Sequence, residues 1–256
     1  MSLSWLDRLT LLIHPQRVVL ERQPWRGALQ SQALELAPAL TGEADWQPAL
    51  NAAQRLLAAA GKGSTLRIVV ADPFVRYALL PWSAAISGKK QRLALAQTLL
   101  RNVLGEKAQA LEIVLDRPAF NKNGLAAGID RALIDGLRRA AQARRLRLSS
   151  IQPRLIAELS AKRQQLSDGW FVSVDHDWLS LVGLHDDDLR LLRNHRIATA
   201  DPAALASELA GLLASGIAAV DSKKLFISSG QAALPTLAGD WQTIHWPSAV
   251  YRAAHA

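Results

Sequence analysis

Two short acidic clusters carry most of the side chains in this chain that could do chemistry. They are Asp175-His176-Asp177 and His185-Asp186-Asp187-Asp188. Carboxylates and imidazoles ligate divalent cations and exchange protons. The apolar run Trp178 to Leu184 between them reads as a strand, which puts the clusters at its opposite ends. Neighbouring strand side chains also point to opposite faces. Both clusters are therefore expected to be structural turns, and no metal site and no catalytic residue is assigned. Ser228-Ser229-Gly230 offers hydroxyls at a turn, but a nucleophile elbow needs Gly on both sides of the Ser, and none precedes it here. Gly61-Lys62-Gly63-Ser64-Thr65 resembles a phosphate loop, yet it lacks the first glycine and follows a helix pattern. It reads as a loop. The chain has no Cys among its 256 residues, which excludes disulfides, thiolate catalysis and thiolate metal ligands.

The elements around these residues repeat. Gly169 to Asp175, Trp178 to Leu184 and Leu189 to Arg193 are apolar runs cut by Asp and His turns, the pattern of consecutive hairpins. A helix over Pro202 to Ala214 and a strand over Leu225 to Ser228 follow, then a Gly-containing turn, a short helix to Leu237 and a last strand near Thr243 to Trp246. The N-terminal part shows the same order. Leu9 to Ile13 and Arg17 to Glu21 form a hairpin, Ala28 to Leu36 a third strand, Trp46 to Ala60 a helix and Leu66 to Ala71 a buried strand. Gly61 and Gly63 are expected to end that helix.

Between the repeats lies extra material. Asp72 to Trp82 leads into a helix over Lys89 to Leu104, and strands follow at Leu111 to Leu115 and Leu125 to Ile129. A helix over Arg131 to Arg144 and a strand over Leu146 to Ser150 complete the first half, and a helix from Pro153 to about Gln164 joins the halves. The expected division is a first half over 1–152, with an inserted α+β subdomain at about 72–130, and a second half over 153–256.

Half the residues are hydrophobic and 20% are charged, so a sizeable core is available. No apolar run is long enough to span a membrane, and the N-terminus lacks a basic lead and a cleavage site, so a cytoplasmic location is expected. Net charge is +8, concentrated in Arg131 to Arg147 and Arg190 to Arg196. A solvated helix face explains the first run. The basic stretch carries no interleaved aromatics and no nucleic-acid module, so nucleic acid is not expected, whereas an anionic membrane surface or acidic partner fits the charge. The eight tryptophans read mostly as core or rim packing.

The element order, the insertion, the segment Leu225-Phe226-Ile227-Ser228-Ser229-Gly230-Gln231-Ala232-Ala233-Leu234-Pro235 and the motif Phe74-Val75-Arg76-Tyr77…Leu80-Pro81-Trp82 together resemble PilM-type proteins. These are actin-like components of type IV pilus assembly; MshI proteins and the cytoplasmic domain of GspL look like the same group. The resemblance implies an α/β, actin-like (ASKHA) duplicated fold of two β-β-β-α-β-α halves. It also implies three nucleotide loops, at His14, Asp175 and Gly230, and all three depart from the family pattern. The first turn, His14-Pro15-Gln16, has no Asp and no Gly, and Pro15 removes a backbone donor. In the second, Asp175 matches, but His176, Asp177 and Trp178 stand where Gly and small polar residues belong. The third has Ser228-Ser229 in place of a glycine run.

The expectation is a non-catalytic cytoplasmic scaffold, a pseudo-ATPase without cofactor, in the inner-membrane platform of a pilus or secretion machine. The resemblance implies a PilN-like membrane protein as partner, through its cytoplasmic N-terminal peptide, with Arg76, Tyr77 and Trp82 as candidate partner-binding residues. Trp82→Ala is then expected to weaken partner capture without unfolding the protein. One alternative is an ATPase that binds ATP and Mg²⁺ in the cleft. Another is a GspL-like docking domain for a secretion or pilus ATPase; the lack of a span before Ala256 speaks against it.

Overall fold

The computed structural model describes residues 7–37, 45–86, 88–116, 118–162, 165–197, 202–216, 219–229, 237 and 239–248. In chain order, the first half opens with β1 (Arg8–Ile13), β2 (Arg17–Gln23), β3 (Gln30–Glu35), α1 (Gln47–Ala58) and β4 (Thr65–Val70). A 3-10 turn at Asp72–Phe74 leads into β5 (Val75–Leu80), α2 (Lys89–Leu104), β6 (Leu111–Leu115) and β7 (Gly124–Asp130). Then come α3 (Arg131–Ala143), β8 (Arg147–Pro153) and α4 (Arg154–Lys162). The second half runs β9 (Gly169–Asp175), β10 (Trp178–His185), β11 (Asp188–Arg196), α5 (Pro202–Gly216), β12 (Lys224–Ser229) and β13 (Gln242–Pro247).

Two five-stranded sheets result, ordered β3-β2-β1-β4-β8 and β11-β10-β9-β12-β13. Each is an antiparallel meander of three strands with two parallel strands added beside its first. The same order in both sheets is the duplication expected from the sequence. The insertion forms a separate antiparallel sheet, β5-β7-β6, backed by α2.

Burial follows from what covers each face. In β9 every residue is buried, because one face packs under α5 and the other under α4. A strand covered on both sides reads as a continuous apolar run. Trp170 fills the α5 side. A Cβ on Gly183 or Gly216 would stand 3.0 Å or less from the indole ring, so two glycines make its slot, and its Nε1 donates to Ser222 O at 3.0 Å. In the first half α1 and α3 pack on one face of the sheet. The exposed face of α3 carries Arg131, Arg138 and Arg139, and Arg138 pairs with Glu112 at 2.7 Å.

Three boundaries differ from the sequence reading. Val75–Leu80 is a strand, fixed by its pairing with β7 rather than by any alternation of its own. Pro153 ends β8 instead of opening a helix; β8 is an edge strand, where a missing backbone donor costs little. Helix α1 stops at Ala58, before Gly61, and the residue with positive φ (+82°) is Gly63. The expected turn and short helix over 230–236 lie outside the described residues.

Candidate functional site

The β1–β2 and β9–β10 turns occupy matching places in the two sheets, and they face each other across the junction of the halves. The imidazoles of His14 and His176 stand 4.8 Å apart, centre to centre, with the rings tilted by 41°. His14 is 1% exposed. Gln16 N donates to its Nδ1 at 3.1 Å, so its proton sits on Nε2. That atom lies 3.9 Å from Asp175 Oδ2. Burial pushes the His14 pKa down to about 4, against the opposing pull of Asp175; His176 and Arg154 push it further down. His14 is thus neutral near pH 7. His176 adopts φ +52°, the left-handed region that glycine takes freely.

Arg154, the first residue of α4, is the charge that binds this junction. It is 1% exposed, pairs with Asp175, donates from Nη2 to Val174 O at 3.2 Å and brings Nε within 4.0 Å of Glu158. Glu158 in turn accepts from Ser248 Oγ. Beside it lies a second buried carboxylate, Asp72. It accepts from Tyr77 Oη at 2.6 Å, from Ser180 Oγ at 3.0 Å and from Leu155 N at 3.1 Å. Burial raises the Asp72 pKa, while its three donors and Arg154 lower it. The Tyr77 hydroxyl is pushed well above its ordinary value by burial and by Asp72. Asp72 therefore ties the insertion, β10 and α4 together at one carboxylate.

The sequence-derived positions fare differently. His14 and Asp175 are brought together in one buried cluster, while Gly230 lies outside the described residues. Arg76 and Tyr77 are half-buried and bonded internally: Arg76 Nη1 donates to Pro73 O at 2.9 Å and to Val75 O at 3.2 Å, and Tyr77 holds Asp72. Trp82 is 40% exposed and meets Phe120 edge-on at 5.5 Å. The three insertion residues do not share one surface. Arg154 and Asp72, the two charges that organise the junction, were missed. Their signal is faint, an Arg after an edge-strand proline and an Asp before one.

These residues do not fit a nucleotide triphosphate. The two hairpin turns touch each other at His14 and His176, Pro15 removes a donor, and His176 and Trp178 stand where glycine and small residues would let backbone N–H groups reach phosphate oxygens. Among the described residues, the group that could hold a cation lies elsewhere, where Asp168, His185 and Asp186 place ligand atoms within 4.8 Å of one another. There Asp168 Oδ1 already accepts from Asp186 N at 3.0 Å and lies 3.0 Å from His185 Nδ1, so it staples a turn. Asp175, His176 and Asp177 are not part of that group.

No family model and no curated protein matches the sequence. Solved structures do. The cytoplasmic domain of EpsL, an inner-membrane component of the type II secretion system of Vibrio cholerae, superposes with a TM-score of 0.61 at 12% identity, covering 94% of this chain and 90% of that one. A Bacteroides thetaiotaomicron protein with the actin-like ATPase fold gives 0.58 at 12% identity, covering 88% and 82%. The PilM–PilN type IV pilus biogenesis complex gives 0.54 at 17% identity, again covering 88% and 82%. Two sheets of identical strand order, joined at facing hairpin turns and similar over most of their length to these structures, establish that the chain has the actin-like fold.

Proposed function

We propose that this protein is a non-catalytic scaffold of a pilus or secretion inner-membrane platform, an actin-like fold that has given up its nucleotide. The observation that carries this reading is the direct contact of the two hairpin turns through His14, His176, Asp175 and Arg154. Its likeness to EpsL, an inner-membrane component of a type II secretion system, and to the PilM–PilN type IV pilus biogenesis complex supports the setting. Among the described residues no helix is long and apolar enough to cross a membrane; in this reading a partner provides the attachment. That partner is a PilN-like membrane protein presenting a short tail on the cytoplasmic face, and the basic surface suits an anionic leaflet.

A groove of about 510 Å³ between the inserted sheet and the first half offers the tail a seat. It is bounded by two edge strands, β6 and β8, and lined by apolar side chains such as Val114, Leu125, Leu148 and Ile151. Edge strands accept an extended peptide as an added strand.

Titration with Mg-ATP and Mg-ADP tests the loss of nucleotide, read by calorimetry and by the shift in Tm. A ligand that binds only the native state must raise Tm. No heat and no shift at millimolar nucleotide are expected; a clear shift with a micromolar constant would make the protein a nucleotide-gated switch instead. Val114→Glu, at a position 63% exposed, should abolish capture of the tail peptide. Trp82→Ala, run beside it, decides whether the tip of the insertion contributes.

A further inference from the structure

A second groove, of about 450 Å³, runs between β5, α2 and the β10–β11 pair. It lies on the other side of the insertion from the first and joins the insertion to the second half. Its walls are aliphatic, with Leu99, Val103 and Leu104 from α2 and Leu192 from β11. Val103, on its rim, is 82% exposed.

Three features of this groove ask for a polypeptide rather than for water or a lipid chain. First, β5 is an edge strand. It pairs with β7 on one side, and among the described residues with no strand on the other. Alternate N–H and C=O groups on that side are therefore available to an added strand. Second, two polar side-chain atoms lining the groove are buried and have no hydrogen-bond partner among the described residues, Trp178 Nε1 and Asn194 Oδ1. A buried donor and acceptor left unsatisfied are costly. They stand on neighbouring strands, since Asn194 pairs with Ser180, two residues after Trp178. An N–H donor beside an amide oxygen acceptor complements a peptide group, which presents one C=O and one N–H. Third, Arg76 is the single charged residue among the described residues of the lining. Its Nη1 is used on backbone carbonyls, and its positive charge faces no lining carboxylate.

We propose that this groove binds an extended segment of a different polypeptide, with aliphatic side chains at alternate positions and one acidic residue. The segment adds to β5 as a strand, its aliphatic side chains enter between α2 and Leu192, a peptide group bonds Trp178 and Asn194, and its carboxylate sits by Arg76. This goes beyond the tail-binding reading, because it gives the chain a second docking surface that uses none of the first groove's apolar lining. One molecule could then hold two partners at once.

The test is selection of a phage-displayed heptapeptide library on the full chain, followed by anisotropy with the enriched peptides made synthetically. Alternating aliphatic peptides with one Asp or Glu are expected. Val103→Glu on the exposed rim should weaken them tenfold or more, and Trp178→Phe, which removes the N–H and keeps an aromatic ring, severalfold. The Trp178 indole N–H resonance should shift on binding. Val114→Glu, in the first groove, should leave these affinities unchanged, so the two readings fail separately. Enrichment of no peptide over an unrelated control protein would overturn the proposal. So would peptides that bind Val103→Glu and Trp178→Phe as tightly as the parent. A concentration-dependent dimer abolished by Val103→Glu would assign the groove to a second copy, which also overturns it.

Discussion

His14 is neutral because it is buried, and its neutrality has a stability consequence. Its pKa is about 4 in the fold and about 6.5 when unfolded. Between those values the unfolded chain takes up a proton that the folded chain refuses. The contribution of His14 is therefore fully present above pH 6.5 and is lost as pH falls toward 4, by about 3 kcal/mol. Asp72 acts in the other direction, since a raised carboxyl pKa favours the folded state on the acid side. Comparing the parent with His14→Gln isolates the first effect. Urea unfolding at a series of pH values should show a shallower loss between pH 6.5 and 4 in His14→Gln. Identical slopes would mean that His14 titrates normally. At this scale the sequence was partly legible. His14 stands out because a His-Pro turn departs from ordinary hairpin chemistry, and Asp175 because it keeps the aspartate of its turn. Arg154 and Asp72 do not, because an Arg at a helix start and an Asp before a proline are ordinary surface signals, and only the closing of one half on the other buries them.

The strands and helices were more legible than their ends. Runs such as Phe171 to Val174 and Leu179 to Leu184 announce strands because both faces of the second sheet are covered. Val75–Leu80 carries no such pattern and becomes a strand only through β7. Glycines in these elements separate two roles that a sequence cannot tell apart. Gly183 abuts Trp170, and a Cβ there would come within 2.8 Å of Val220. Gly183→Val should cost about 1–3 kcal/mol through overpacking. Gly211, inside α5, has nothing within 4 Å of its Cβ position. Gly211→Ala should instead stabilise by roughly 0.5–1 kcal/mol through helix propensity. Thermal melts of both variants check the signs, and two shifts of the same sign would contradict the packing described here.

At the scale of the whole molecule, the described residues of the two halves meet over a buried polar layer. Arg154 pairs with Asp175 and approaches Glu158, so removing it takes a buried positive charge away from two buried carboxylates. Arg154→Ala should destabilise by about 3–5 kcal/mol, measured by urea unfolding; a loss under about 1 kcal/mol would mean that solvent reaches the junction. The duplicated architecture was legible from element order alone, because each half repeats the same succession of hairpin, helix and strand. The contact between the His14 and His176 turns was not, since it depends on distances between residues far apart in the chain.

The insertion also bears on how fast the chain reaches this state. It separates β4 from β8, so their pairing closes a loop of roughly 75 residues, against roughly 12 for β12 and β13. By chain-closure entropy alone the longer loop costs about 1.6 kcal/mol more, on the order of a tenfold slower step. The inserted sheet offsets this if it forms early, because Val75 and Ile129, near its two ends, are paired neighbours. Folded, it becomes a short bridge between β4 and α3. Leu80→Ala, in the core of that sheet, should then slow refolding severalfold in stopped-flow measurements. A mutation that only speeds unfolding would mean that the insertion forms last. On this view the subdomain that interrupts the first half is also what lets that half close.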